Sequence, residues 1–92
     1  MLSDSDRAII EMLARKYGAK RVILFGSSLL SDHASRDIDL GVSGVSPADY
    51  FAFCGELMFA AGKPVDVIDL DKDSKFVRLV VKEGIPIYEH AA

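Results

Sequence analysis

Two apolar runs between Ile23 and Leu40 restrict the folds open to this chain more than any other feature. The first, Ile23-Leu24-Phe25, stops at Gly26-Ser27; the second, Asp37-Ile38-Asp39-Leu40, alternates carboxylates with apolar residues. In an extended strand, residues i and i+2 share a face. The pattern therefore predicts that Asp37 and Asp39 stand side by side while Ile38 and Leu40 face a core. Adjacent anions repel unless a positive charge sits between them. A divalent cation fits, because Mg²⁺ favours carboxylate oxygens together with substrate phosphates. The Gly26-Ser27 turn suits phosphates, since a glycine lets backbone N–H groups approach an anion closely. Taken alone, a Gly-Ser pair reads equally well as an ordinary strand-to-helix turn capped by Ser27.

The chain has room for one small domain over residues 1–92, with one core and no separate substrate lobe. Half of its residues are hydrophobic, which predicts a folded globule rather than a disordered chain. A net charge of −3 argues against a nucleic-acid-binding module, which normally shows a basic face. The lone Cys54 excludes an internal disulfide and fits a reducing cytoplasm. No stretch is long enough to span a membrane, and the start, Met1-Leu2-Ser3-Asp4, lacks the basic residues of a signal peptide. The expected location is the cytoplasm.

Residues 3 to 17 read as a helix, capped by Ser3 or Ser5, with Ile9, Met12, Leu13 and Tyr17 at helical spacing and Gly18 as its stop. Arg15, Lys16, Lys20 and Arg21 cluster near its end, where solvated cations are the ordinary case. Residues 21–25 form the first strand, and the unbroken apolar run places it centrally, buried on both faces. His33 falls in a polar loop and receives no role. Residues 37–42 form the second strand. Residues 47–61 form a helix capped by Ser46, with Pro47 in its first turn and Gly62 as its stop. Its apolar residues leave only a narrow polar strip, mainly Asp49 and Glu56, so the helix is either deeply buried or partly covered by a partner.

Residues 64–70 form the third strand. Asp66 lies between Val65 and Val67 in a stretch that reads as core, where a purely structural carboxylate would be costly. Asp69, Asp71 and Asp73 mimic the opening of a calcium loop, but Ser74 replaces its glycine and Val80 its final glutamate. They instead lead into a helix from about residue 73 to 83, stopped by Gly84 and followed by a closing strand at 85–88.

If the second and third strands are neighbours, Asp37, Asp39 and Asp66 converge beside Gly26-Ser27. Phosphoryl-type transfer needs little more from a protein than metal ions that clamp the attacking and leaving oxygens and donors for the leaving phosphates.

In these motifs (Leu24-Phe25-Gly26-Ser27, Asp37-Ile38-Asp39-Leu40 and Val65-Asp66-Val67) the chain resembles the DNA polymerase beta-like nucleotidyltransferases, nearest their minimal (MNT-type) branch. The resemblance runs from the first helix to Ile85-Pro86-Ile87-Tyr88. The chain departs at Ser28, where many such domains carry Arg, and at Arg36, where they carry Ser. The resemblance implies an α/β (α+β) nucleotidyltransferase fold: a small mixed sheet of about four strands with helices mainly on one face. It further implies that Asp37, Asp39 and Asp66 bind two Mg²⁺ ions and are catalytic, Asp66 helping to activate the incoming hydroxyl. Gly26 and Ser27 would hold the β- and γ-phosphates of a nucleoside triphosphate. The implied reaction transfers a nucleoside monophosphate, AMP from ATP, to a hydroxyl acceptor. MNT-type domains pair with helical HEPN-type proteins in toxin–antitoxin systems, where they neutralise the toxin by AMPylating a tyrosine or by binding it. Helix 47–61 is the docking candidate.

Two other readings compete. In one, the domain is a catalytically weak binding module that masks a partner, consistent with Ser28 after Gly26-Ser27 and with the apolar helix. The other is a phosphatase with an Asp-x-Asp nucleophile pair. It is disfavoured because such pairs end the first strand, whereas this one follows a Gly-Ser turn, and because the chain is short for that fold.

Overall fold

The computed structural model describes residues 2–26 and 37–90. Its elements run α1 (Asp4–Lys16), β1 (Arg21–Phe25), β2 (Ile38–Ser43), α2 (Pro47–Ala60), β3 (Val65–Asp69), α3 (Lys75–Glu83) and β4 (Ile85–Glu89). The strands form one mixed sheet in the order β3-β2-β1-β4. β1 pairs antiparallel with both β2 and β4, while β2 and β3 pair parallel. Parallel neighbours need a crossover, and here α2 provides it. The expected mixed four-stranded sheet is what the chain adopts.

Each helix starts where its side-chain chemistry directs. The Ser3, Ser46 and Ser74 hydroxyls accept from the backbone N–H groups of Asp6, Asp49 and Val77, satisfying donors that a helix cannot pair internally. Ser74, rather than Asp73, caps α3, so that helix begins two residues later than its acidic lead-in suggests. Asp73 lies outside it and pairs with Arg78 at 2.9 Å.

Alternation along the strands separates the two faces. Val22 and Leu24 of β1, Ile38, Leu40 and Val42 of β2, and Val65 of β3 join Ile10, Leu13, Phe53 and Leu57 of α1 and α2 in one buried cluster. β1 is central and buried on both faces, as its unbroken apolar run requires. Ile23, on the opposite face, is also fully buried. There the end of α3 comes so close that a Cβ on Gly84 would collide with the Ile23 side chain. Phe76 of α3 meets Phe25 edge-on, with ring centroids 5.8 Å apart. Thus α1 and α2 cover one face, and α3 covers the β1 part of the other.

Long-range polar contacts hold the two main helices together. Lys16 donates to both oxygens of the Glu56 carboxylate at 2.8 and 3.1 Å, and the Tyr17 hydroxyl donates to the same carboxylate. The nearly buried Asp6 accepts from the Gly62 N–H at 3.1 Å, fastening the start of α1 to the end of α2. The acidic run after β3 is occupied by the loop itself: Asp69 accepts from the N–H of Asp71, and Asp71 from that of Gly44, each at 2.9 Å.

α2 resolves the choice its composition leaves open. Phe53 and Leu57 are fully buried, whereas Phe51 is 89% and Phe59 94% exposed, with Met58 also exposed. One side of the helix belongs to the core, and the other presents large apolar side chains to solvent. Among the described residues, no helix is long and apolar enough to cross a membrane.

Candidate active site

The candidate site lies on the sheet face opposite the main core. β2 places Asp39 there because its neighbours Ile38 and Leu40 are drawn into the core, at 2% and 0% exposure. Asp37, two residues earlier, precedes the strand and is exposed, while Asp39 is half-buried. Ile38 and Leu40 therefore face the core as the alternation predicts, whereas Asp37, expected in the same strand, lies outside β2.

Asp66 reaches the same face by register. In the parallel β2–β3 pair, Asp39 stands opposite Asp66, so the two carboxylates rise from backbones one strand spacing apart, about 4.8 Å. The expectation that Asp66 is enclosed by core is not met. β3 is an edge strand, Val65 alone points fully inward, and Asp66 is exposed. No burial penalty attends this carboxylate; its position opposite Asp39 singles it out instead.

On the other side of Asp39, the antiparallel β1–β2 register sets Phe25 opposite it. Phe25, Asp39 and Asp66 consequently form one row across three adjacent strands. Gly26 ends the row with φ of +70°, a conformation open to glycine at little cost. A Cβ built on Gly26 would lie 2.5 Å from Asp39 Oδ2. The glycine thus permits both the turn and the close approach of the chain to the carboxylate. Ser27, the other phosphate-binding candidate, lies outside the described residues, as do Ser28, His33 and Arg36.

Two in-register carboxylates destabilise each other unless a cation or proton intervenes. Among the described residues, no group of three or more His, Cys, Asp or Glu side chains is assembled to hold a metal ion. Mg²⁺ does not require such a cage, because it commonly takes one or two carboxylates and completes its shell with water and phosphate oxygens. The hard oxygen donors of Asp39 and Asp66, beside the space left by Gly26, fit an ion of that kind. Phe76 escapes the sequence reading altogether, since nothing in a short amphipathic helix indicates that its first turn will reach the residue before Gly26.

Residues 7–92 match the family described as polymerase beta, nucleotidyltransferase. No curated protein matches the chain significantly. Among solved structures, a toxin–antitoxin complex with AMP-PNP is similar with a TM-score of 0.72 at 21% identity, over 96% of this chain and 75% of that one. A tri-AMPylated Shewanella oneidensis HEPN toxin in complex with MNT antitoxin gives 0.69 at 23% identity, over 92% and 71%. A structure assigned as a minimal nucleotidyltransferase gives 0.67 at 26% identity, over 87% of each chain.

Proposed function

We propose, from the premise that the chain belongs to the polymerase beta nucleotidyltransferase family, that it transfers AMP from ATP to a tyrosine hydroxyl of a HEPN-type partner. The observation that carries this reading is the register of Asp39 with Asp66 beside the Gly26 turn. Asp37, Asp39 and Asp66 are the residues assigned to hold Mg²⁺. Bound among these carboxylates and the phosphate oxygens, Mg²⁺ would offset the negative charge of the triphosphate and of the leaving pyrophosphate. Gly26 and Ser27 hold the β- and γ-phosphates. The acceptor oxygen attacks the α-phosphorus, the bond to the bridging oxygen breaks, and pyrophosphate leaves. Asp66, exposed at the sheet edge, serves as the base that takes the proton of an arriving hydroxyl. The half-buried Asp39 is held by its strand and keeps the nucleotide end of the site fixed.

The partner side of the proposal rests on α2. Its exposed Phe51, Met58 and Phe59 offer an apolar surface for a helical HEPN-type protein. A structural relative solved as MNT antitoxin with a tri-AMPylated HEPN toxin supports that partner class. The test is incubation with α-labelled ATP, Mg²⁺ and a HEPN-type partner. Label should enter the partner with the wild-type chain and not with Asp39→Asn. If no label transfers while the unlabelled partner is still silenced, the second reading holds: a module that masks its partner through the α2 surface.

A further inference from the structure

We infer that the cavity between β1 and α3 is the seat of the nucleotide's base, and that the acceptor therefore enters from the β3 edge. The inference rests on the nucleotide-binding reading of Gly26 and Asp39. Beside Gly26 the structure contains a cavity of about 220 Å³, lined by Phe25, Phe76, Leu79 and Val80, by Glu83 and by Gly26 itself. Its continuity with Gly26 is the first argument. A triphosphate whose β- and γ-phosphates sit at that turn carries its base beyond the α-phosphate and the ribose, and this cavity, which shares a wall with the turn, lies within that reach.

The chemistry of the wall is the second argument. Phe25 and Phe76 meet edge-on, and Phe76 and Leu79, which flank the half-open cavity, each remain 52% exposed. Half-exposed rings beside a cavity suit a flat heterocycle, because every base offers a π-face that stacks on an aromatic side chain. Among the described residues of the lining, Glu83 is the ionisable one, and a carboxylate accepts hydrogen bonds from an exocyclic amine such as that of adenine.

The row Phe25, Asp39, Asp66 is the third. With the base at the Phe25 end, the α-phosphate lies over Asp39 in the middle. Asp66 stands two strand spacings from Phe25, about 10 Å away. That end of the row is exposed and offers the open approach for a hydroxyl.

The test compares binding of Mg·ATP with that of Mg·tripolyphosphate, which has the phosphates and no base, by titration calorimetry. Wild-type protein should bind ATP more tightly than tripolyphosphate. Phe76→Ala should weaken ATP roughly five- to a hundredfold, the range that loss of one stacked base implies, and leave tripolyphosphate unchanged. Leu79→Trp, which fills the cavity instead of opening it, should have the same selective effect and decides the matter if Phe76→Ala does not fold. Equal ATP affinity in wild type and both folded variants would overturn the inference while leaving nucleotide binding intact. So would unchanged ATP affinity with impaired transfer to the partner, which would give the cavity to the acceptor side chain. Failure of wild-type protein to bind either ligand would overturn the nucleotide reading, and this inference with it.

Discussion

Asp39 and Asp66 stand directly opposite each other on adjacent parallel strands, although 27 residues and a whole crossover helix separate them in sequence. Like charges in register on one face repel each other, and a cation bound between them would offset that repulsion. Replacing Asp39 by Asn should cut AMP transfer by more than about 100-fold if the carboxylate holds Mg²⁺ as proposed. Incorporation of label from α-labelled ATP, measured with and without Mg²⁺, checks this.

Gly26 should prove irreplaceable for two separable reasons. Alanine there must adopt a positive φ and also displace the Asp39 carboxylate. Gly18, with φ of +71° and nothing within 4 Å of a built Cβ, isolates the first reason. Gly18→Ala should cost about 1 kcal/mol and leave transfer intact. Gly26→Ala should cost at least as much and abolish transfer, measured by chemical denaturation and by label incorporation.

The two sides of α2 should respond oppositely to mutation. Phe53→Ala empties a fully buried site and should cost about 3–5 kcal/mol. Phe51→Glu and Phe59→Glu alter exposed positions, so monomer stability should stay within about 0.5 kcal/mol. Co-purification with a HEPN-type partner should nevertheless fail for both glutamate variants. Retained association would remove α2 as the docking surface.

The α1–α2 staple gives a pH signature. Hydrogen bonds from Lys16 and then Tyr17 hold the Glu56 carboxyl below the ordinary carboxylate range. A lowered folded-state value contributes stability above the unfolded value, about 4.3, and loses it as pH falls through the folded one. The hydrogen bond to Glu56 also raises Tyr17 and Lys16, and their contribution is lost on the alkaline side, as pH rises beyond about 10. Glu56→Gln should therefore flatten both limbs of the curve of melting temperature against pH. An unchanged acid limb would show that the contact contributes nothing in solution.

Local patterns were legible in the chain, and long-range placement was not. Asp37-Ile38-Asp39-Leu40 announces its faces because a strand with one buried side must alternate, and Ile38 and Leu40 obey. Val65-Asp66-Val67 looks like core yet lies at an edge, because strand order depends on how α2 crosses over and leaves no local trace. The apolar excess of α2 is visible in its composition. Its division into buried Phe53 and exposed Phe51 and Phe59 depends on where α1 lies, as does the contact between Tyr17 and Glu56. Phe76 meets Phe25 only because Gly84 lets α3 settle on Ile23.

The central claim is that the Gly26–Asp39–Asp66 row binds a metal–nucleotide complex. Calorimetric titration of ATP into wild-type, Asp39→Asn and Asp66→Asn protein, each with Mg²⁺ and with EDTA, tests it most directly. Saturable binding should occur only for the wild-type chain with Mg²⁺ and weaken by at least about tenfold in each variant. ATP binding that persists in EDTA and in both variants, or no binding under any condition, would contradict it.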